Sequence, residues 1–258
     1  MDPVLYRLMI AGIFLVLFLL ALPLMKKRIA LPVVFLVSLA LGVYRAVQFI
    51  YYAYDGQSVY PIEISHIAYF TQAGIVLSGI PQLQFFAGFL STVCAIGYFI
   101  GAMVNPSAMM NGLDRFTTIQ GMLIHGILLF TGVLLLFGIR RYKKRALLYS
   151  TAGLGLLLLF AYLVKIDVLY PGVDKSNYVI LKMVDGTLLN YIFPDMVVLP
   201  LGRILTVCVL LVLAFLLSLG AFALNRRLFR VYEPDMMEWG FYPWVKKALT
   251  NRKKFPVQ

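Results

Sequence analysis

The chain has 258 residues, 62% of them apolar and only 13% charged, a balance that excludes an ordinary soluble domain. Its net charge of +12 lies at the ends of apolar runs and not on a polar strip interleaved with contact residues, which excludes a nucleic-acid surface. Two cysteines, Cys94 and Cys208, both lie in apolar runs, and His66 and His125 are the two histidines, so neither a disulfide framework nor a zinc site nor another cofactor is expected.

A spanning helix needs about 20 mostly apolar residues. Runs of that kind lie near 4 to 24, 29 to 52, 62 to 80, 83 to 104, 116 to 138, 146 to 164 and 199 to 225. The pattern predicts an all-α, polytopic membrane helix bundle of about seven transmembrane helices. Residues 1–225 form the bundle and 226–258 a basic, aromatic tail. In the first run the positive cluster follows the apolar stretch and no small-residue cleavage pattern is seen, which argues for a retained helix and not a signal peptide.

The Lys26-Lys27-Arg28 loop, the loop from Arg140 to Arg145 and the tail after Leu224 hold 16 of the 23 basic residues. Cytoplasmic connections keep positive charge, so these three lie inside and the amino end outside. Asp55, Asp114, Asp167, Asp174, Asp185 and Asp195 fall on the opposite side. Between the third and fourth runs, Gly79-Ile80-Pro81-Gln82 predicts a tight hairpin. In the tail, the aromatic stretch from Trp239 to Trp244, followed by Lys246, Lys247, Arg252, Lys253 and Lys254, predicts a segment on anionic inner-leaflet lipid. The connection of about 165 to 198 is long and external.

Polar residues inside spanning helices carry the functional information, because each costs a few kcal/mol on insertion scales and by default faces the bundle or a watery cavity. On the third helix Ser65, Tyr69 and Gln72 recur along one stripe, with Glu63 and His66 as a second pair beside it. Ser65 and His66 are adjacent in sequence and point about 100° apart on a helix, so a base for Ser65 is expected from another helix. On the fifth helix Thr118, Gly121 and His125 share a stripe, and His125 lies deeper from the outer end than Ser65. The fourth helix carries Cys94, Gly97, Gly101 and Asn105 on one face, and its Gly97-Gly101 spacing predicts close helix packing. Arg45 with Gln48 in the second helix, and Arg203 in the last, are suited to a lipid headgroup phosphate, held by two parallel hydrogen bonds, or else reach the interface or pair with Glu63 and Asp195.

Four short stretches recur in a familiar order: Pro61-Ile62-Glu63-Ile64-Ser65-His66, Asn105-Pro106, Ile124-His125-Gly126 and Leu189-Asn190-Tyr191. Together they resemble the YwaF-type bacterial integral membrane proteins, over about residues 60 to 225. That family is related to the transmembrane-protein-164 acyltransferases and, more distantly, to the androgen-induced-gene type hydrolases of fatty-acid esters. The resemblance implies a multi-pass protein of a bacterial cytoplasmic membrane that hydrolyses or transfers acyl chains of membrane phospholipid or another acyl lipid from the outer side. It implies Ser65 as nucleophile, in place of the cysteine of the acyltransferase branch, with His125 as base. Asn105 or Asn190, next to Tyr191, would donate to the oxyanion, and Glu63 or His66 would orient or replace His125. Two other classes remain: a small-solute or ion transporter with His125, Glu63 and Gln72 lining a water-filled path, and a noncatalytic scaffold in which Ser65 and His125 stay apart.

Overall fold

The computed structural model describes residues 2–56, 60–110, 113–173, 178, 180–181 and 200–229. Among these it is all helix: α1 (Pro3–Ala21), α2 (Ala30–Tyr54), α3 (Ile64–Ser78), α4 (Pro81–Val104), the short α5 (Pro106–Met110), α6 (Arg115–Val133), α7 (Arg145–Lys165) and α8 (Pro200–Leu228). Six are long and apolar enough to cross a membrane, counting α1 with its 3-10 extension to Leu24 and α6 with its π turn to Gly138. The exceptions are the five-residue α5 and α3, whose 15 residues rise about 22 Å against a hydrocarbon core of about 30 Å.

Local chemistry sets the helix ends. Asp2 accepts from the backbone N–H groups of Val4 and Leu5 at 2.8 and 3.0 Å, with Pro3 in the first turn of α1. The expected hairpin between α3 and α4 is present. Gly79 takes the left-handed conformation (φ 69°) that closes α3, its N–H returns to the Ile75 and Val76 carbonyls, and Pro81 opens α4. Asp114 caps α6, accepting from Thr117 N–H at 2.6 Å. Hydrogen bonds from the Thr117 backbone N–H and side chain hold the exposed Asp114 carboxyl below its ordinary range.

The bundle is built around α6, 72% of whose spanning window is buried, and α4 beside it. By contrast only 11% of the α8 window is covered. The two central helices cross at Gly88 and Gly132, and a Cβ on Gly132 would come within 2.5 Å of Thr92 Oγ1 and 3.0 Å of the Gly88 carbonyl. This crossing replaces the one expected at Gly97 and Gly101. Gly97 is exposed with nothing within 4 Å of a built Cβ, and Gly101 meets only the flexible Met109 side chain, so neither lies at the contact with α6.

At the other end of α6 the helix widens into the π turn Leu134–Gly138, which leaves carbonyls without their usual partners. Asn225 of α8 supplies them. Its side-chain amide donates to the Leu136 and Arg140 carbonyls at 2.6 and 2.9 Å, and its oxygen accepts from Tyr142 N–H at 3.1 Å. The Tyr142 hydroxyl donates to the Leu135 carbonyl at 2.6 Å, and burial raises that phenol above its ordinary value. The covered side of α8 is the stripe Ser218, Phe222, Asn225 and Phe229. The expected tail beyond 229 and most of the long connection lie outside the described residues.

Candidate active site

Ser65 is the second residue of α3, and Glu63 occupies the N-cap without bonding its carboxylate to the first-turn amides. The opening turn of α3 therefore presents backbone N–H groups and the positive end of the helix dipole beside the Ser65 hydroxyl. One turn further on, Tyr69 is fully buried, and its hydroxyl interacts with both Ser65 and Arg45.

His125 reaches the same phenol from α6. Its Nδ1 lies 2.8 Å from the Gly121 carbonyl, which can only accept, so Nδ1 carries the proton. Nε2 then faces the Tyr69 hydroxyl at 3.4 Å and accepts from it in the neutral ring. The imidazole plane is held by Tyr98 of α4, stacked at 3.8 Å between centroids and 5° between planes. The Tyr98 hydroxyl meets Tyr6 of α1 at 3.2 Å and lies 3.0 Å from where a Cβ on residue 121 would sit, so Gly121 makes room for it.

Ser65 and His125 make no direct hydrogen bond among the described residues, and Tyr69, one turn after Ser65, faces the imidazole. The depth difference between them, legible from helical rise, is spanned by one tyrosine side chain. His66 packs edge-on against Phe49 at 5.1 Å, with its centroid 6.4 Å from that of Tyr69, and its buried Nδ1 has no hydrogen-bond partner. Arg45 places its guanidinium carbon 4.6 Å from the Tyr69 ring centroid, and Cys94 directs its thiol to the Ile64 carbonyl at 3.6 Å.

Asn105 terminates α4 and returns its N–H to the Gly101 carbonyl at 2.8 Å. Asn190 and Tyr191 lie outside the described residues, as does the side chain of Arg203. Gln72, three residues beyond Tyr69, is sealed in a separate network. It donates to Ser38 at 2.7 Å and Thr131 at 2.9 Å and accepts from Ser91 and Thr131, so α2, α3, α4 and α6 each contribute one polar side chain, every one of them fully buried. Nothing in the structure explains Gln84, whose fully buried amide meets no partner among the described residues.

Sequence reasoning placed Tyr69 on the Ser65 stripe but gave it no role, and it missed Tyr98 and Tyr6 altogether. A tyrosine one turn after Ser65 was the available signal for the first. Tyr98 and Tyr6 carry none, because only the assembly of α1, α4 and α6 turns them toward His125.

No family model, curated protein or solved structure matches this chain. Four short stretches of the sequence, at Pro61–His66, Asn105-Pro106, Ile124–Gly126 and Leu189–Tyr191, were singled out above. Three of those sit at defined points: the entry to α3, the junction of α4 with α5, and the middle of α6.

Proposed function

We propose that the protein is a seven-span membrane lipid acyl hydrolase or transacylase of the YwaF type, acting from the outer side of a bacterial cytoplasmic membrane through Ser65 and His125. The observation that carries this reading is the buried Tyr69 hydroxyl, one helical turn after Ser65 on α3 and facing His125 Nε2 of α6 at 3.4 Å. Charge placement supports the orientation. The loop at Lys26 and the loop after the π turn meet where Lys26 N–H bonds the Gly138 carbonyl at 2.7 Å, so two of the three basic clusters share one end of the bundle. The short α3 would begin below the outer surface, with Ser65 half-buried in its first turn.

In this mechanism Ser65 Oγ attacks an ester carbonyl. Its proton passes to the Tyr69 oxygen as Tyr69 gives its own to His125 Nε2, whose other nitrogen is anchored on Gly121. The tetrahedral oxyanion is stabilised by the first-turn amides of α3, which Glu63 leaves uncapped. Collapse breaks the bond to the leaving alcohol, which takes the proton back from His125 through Tyr69 and departs as a lysolipid. Acyl-Ser65 remains, and water or an acceptor alcohol attacks it with the same relay running again. A 3.4 Å contact without substrate is in keeping with catalytic hydrogen bonds that tighten on binding.

The test is mass-spectrometric lipidomics of purified protein in mixed-lipid nanodiscs, comparing the parent with Ser65→Ala and His125→Ala. Acyl release or transfer lost in both folded variants supports the reading. A lipid profile that is unchanged in the parent, or altered equally in all three proteins, overturns it.

A further inference from the structure

The chemistry above leaves Arg45 unused. A cation within a spanning helix costs a few kcal/mol on insertion scales, so it ordinarily meets an acid or reaches water. Here each partner among the described residues is neutral. Nη1 donates to Gln48 Oε1, the guanidinium lies over Tyr69 at 4.6 Å and beside Tyr44 at 6.0 Å, and the buried Nε has no acceptor. Gln48 is itself held, donating through Nε2 to the Tyr52 hydroxyl at 2.6 Å. These contacts fix the guanidinium without cancelling its charge. That charge also acts on His66 and His125, and His66 Nδ1 is a second buried polar atom without a partner in the same cluster.

A pre-positioned, part-exposed guanidinium with no carboxylate among the described residues is a site for an anion, and its planar fork matches phosphate oxygens. Tyr69 ties Arg45 and Ser65 to one phenol, so the anion and the reacting carbonyl are separated by little more than one side chain. In a glycerophospholipid the phosphate and the ester carbonyls are separated by the glycerol backbone alone. We propose that Arg45, propped by Gln48, binds the phosphate of a glycerophospholipid and sets its ester against Ser65. The site thereby selects phosphate-bearing lipids over neutral glycerides. The inference rests on the acyl-transfer reading only for what happens at the ester.

The test reads binding in a chain that cannot turn over. Full-length Ser65→Ala protein, stripped of lipid, is titrated with phosphatidylglycerol, phosphatidylcholine or diacylglycerol, and bound lipid is counted by native mass spectrometry. Both phospholipids should be retained at least about tenfold better than diacylglycerol. Adding Arg45→Gln should remove that preference, with Arg45→Lys intermediate because an ammonium cannot form the paired bonds. Gln48→Glu sets a carboxylate on the guanidinium and should weaken phospholipid retention about as much as Arg45→Gln, which keeps the test available should the arginine variant fail to fold. Competition by millimolar inorganic phosphate would show that the site takes the anion by itself, and its absence would show that the lipid body is needed. Equal retention of diacylglycerol, or unchanged phospholipid retention in the Arg45→Gln or Gln48→Glu protein, would overturn the proposal. Because Ser65 is absent throughout, that failure would leave the acyl chemistry standing. An inactive parent with Arg45-dependent binding would sink the chemistry alone.

Discussion

Two buried polar clusters sit three residues apart on α3 and differ in one respect. Around Gln72 every side-chain donor and acceptor of the glutamine is matched by Ser38, Ser91 or Thr131, and nothing is exposed. Around Tyr69 the matching is incomplete: among the described residues Arg45 Nε and His66 Nδ1 have no hydrogen-bond partner and the guanidinium meets only neutral groups, while Ser65 is half-buried. A satisfied network fixes which helices pack and at what register, whereas an unsatisfied one retains capacity for a ligand. On the proposed function the comparison gives Gln72 a structural part and Tyr69 a chemical one, although both belong to one stripe on one helix.

The sharpest way to break the comparison is to remove a single oxygen from the second cluster. Tyr69→Phe keeps the ring under Arg45 but cuts the relay, and should lower acyl turnover by about 10²–10⁴-fold, the usual worth of a positioned acid or base, with a small change in thermal midpoint. Turnover measured beside a melting curve decides it, and a strong loss of stability with turnover per folded molecule intact would reverse the assignment. Gln72→Leu is the mirror experiment. It takes the glutamine away from the Ser38 and Ser91 hydroxyls, Thr131 keeping the Ile127 carbonyl at 2.8 Å, and should cost about 1–3 kcal/mol of stability while leaving turnover per folded molecule close to the parent's.

Asn225→Ala extends the contrast to the other end of the bundle, where a satisfied amide also reads as structure. Freeing the Leu136 and Arg140 carbonyls should cost about 1–2 kcal/mol and loosen α8, seen as faster amide exchange or proteolysis at the loop after the π turn. The smallest effect is expected at Asp114. Its folded carboxyl titrates below the ordinary 3.8, so its stabilising cap is complete above that value and is lost as pH falls through the lower folded value. Melting curves from about pH 5 downward should show a slight acid-side loss in the parent that is absent in Asp114→Asn.

The helices were legible in the sequence because their signals are local. Apolar runs, the Gly79-Ile80-Pro81 break and the register of Ser65, Tyr69 and Gln72 need only helical periodicity. What was not legible depends on which helix faces which. The Gly97-Gly101 spacing suggested a tight crossing, yet the crossing uses Gly88 and Gly132, whose partners are 44 residues apart in the chain. The stacking of Tyr98 on His125 likewise joins α4 to α6, and no spacing within either helix encodes it. Arg45 stood out as a cation in an apolar run, but the neutrality of its surroundings needed the assembled bundle.

The central claim is that Ser65 is a nucleophile activated through Tyr69 by His125, and covalent labelling tests it most directly. A lipid-like fluorophosphonate reacts with an activated serine, losing fluoride and leaving a phosphonyl ester that peptide mass mapping locates. The account predicts stoichiometric label on Ser65 in the parent protein in nanodiscs, none in Ser65→Ala, and labelling slowed by at least about 10²-fold in His125→Ala and Tyr69→Phe. An unlabelled Ser65 in a folded parent, or labelling at the same rate without His125, would contradict it.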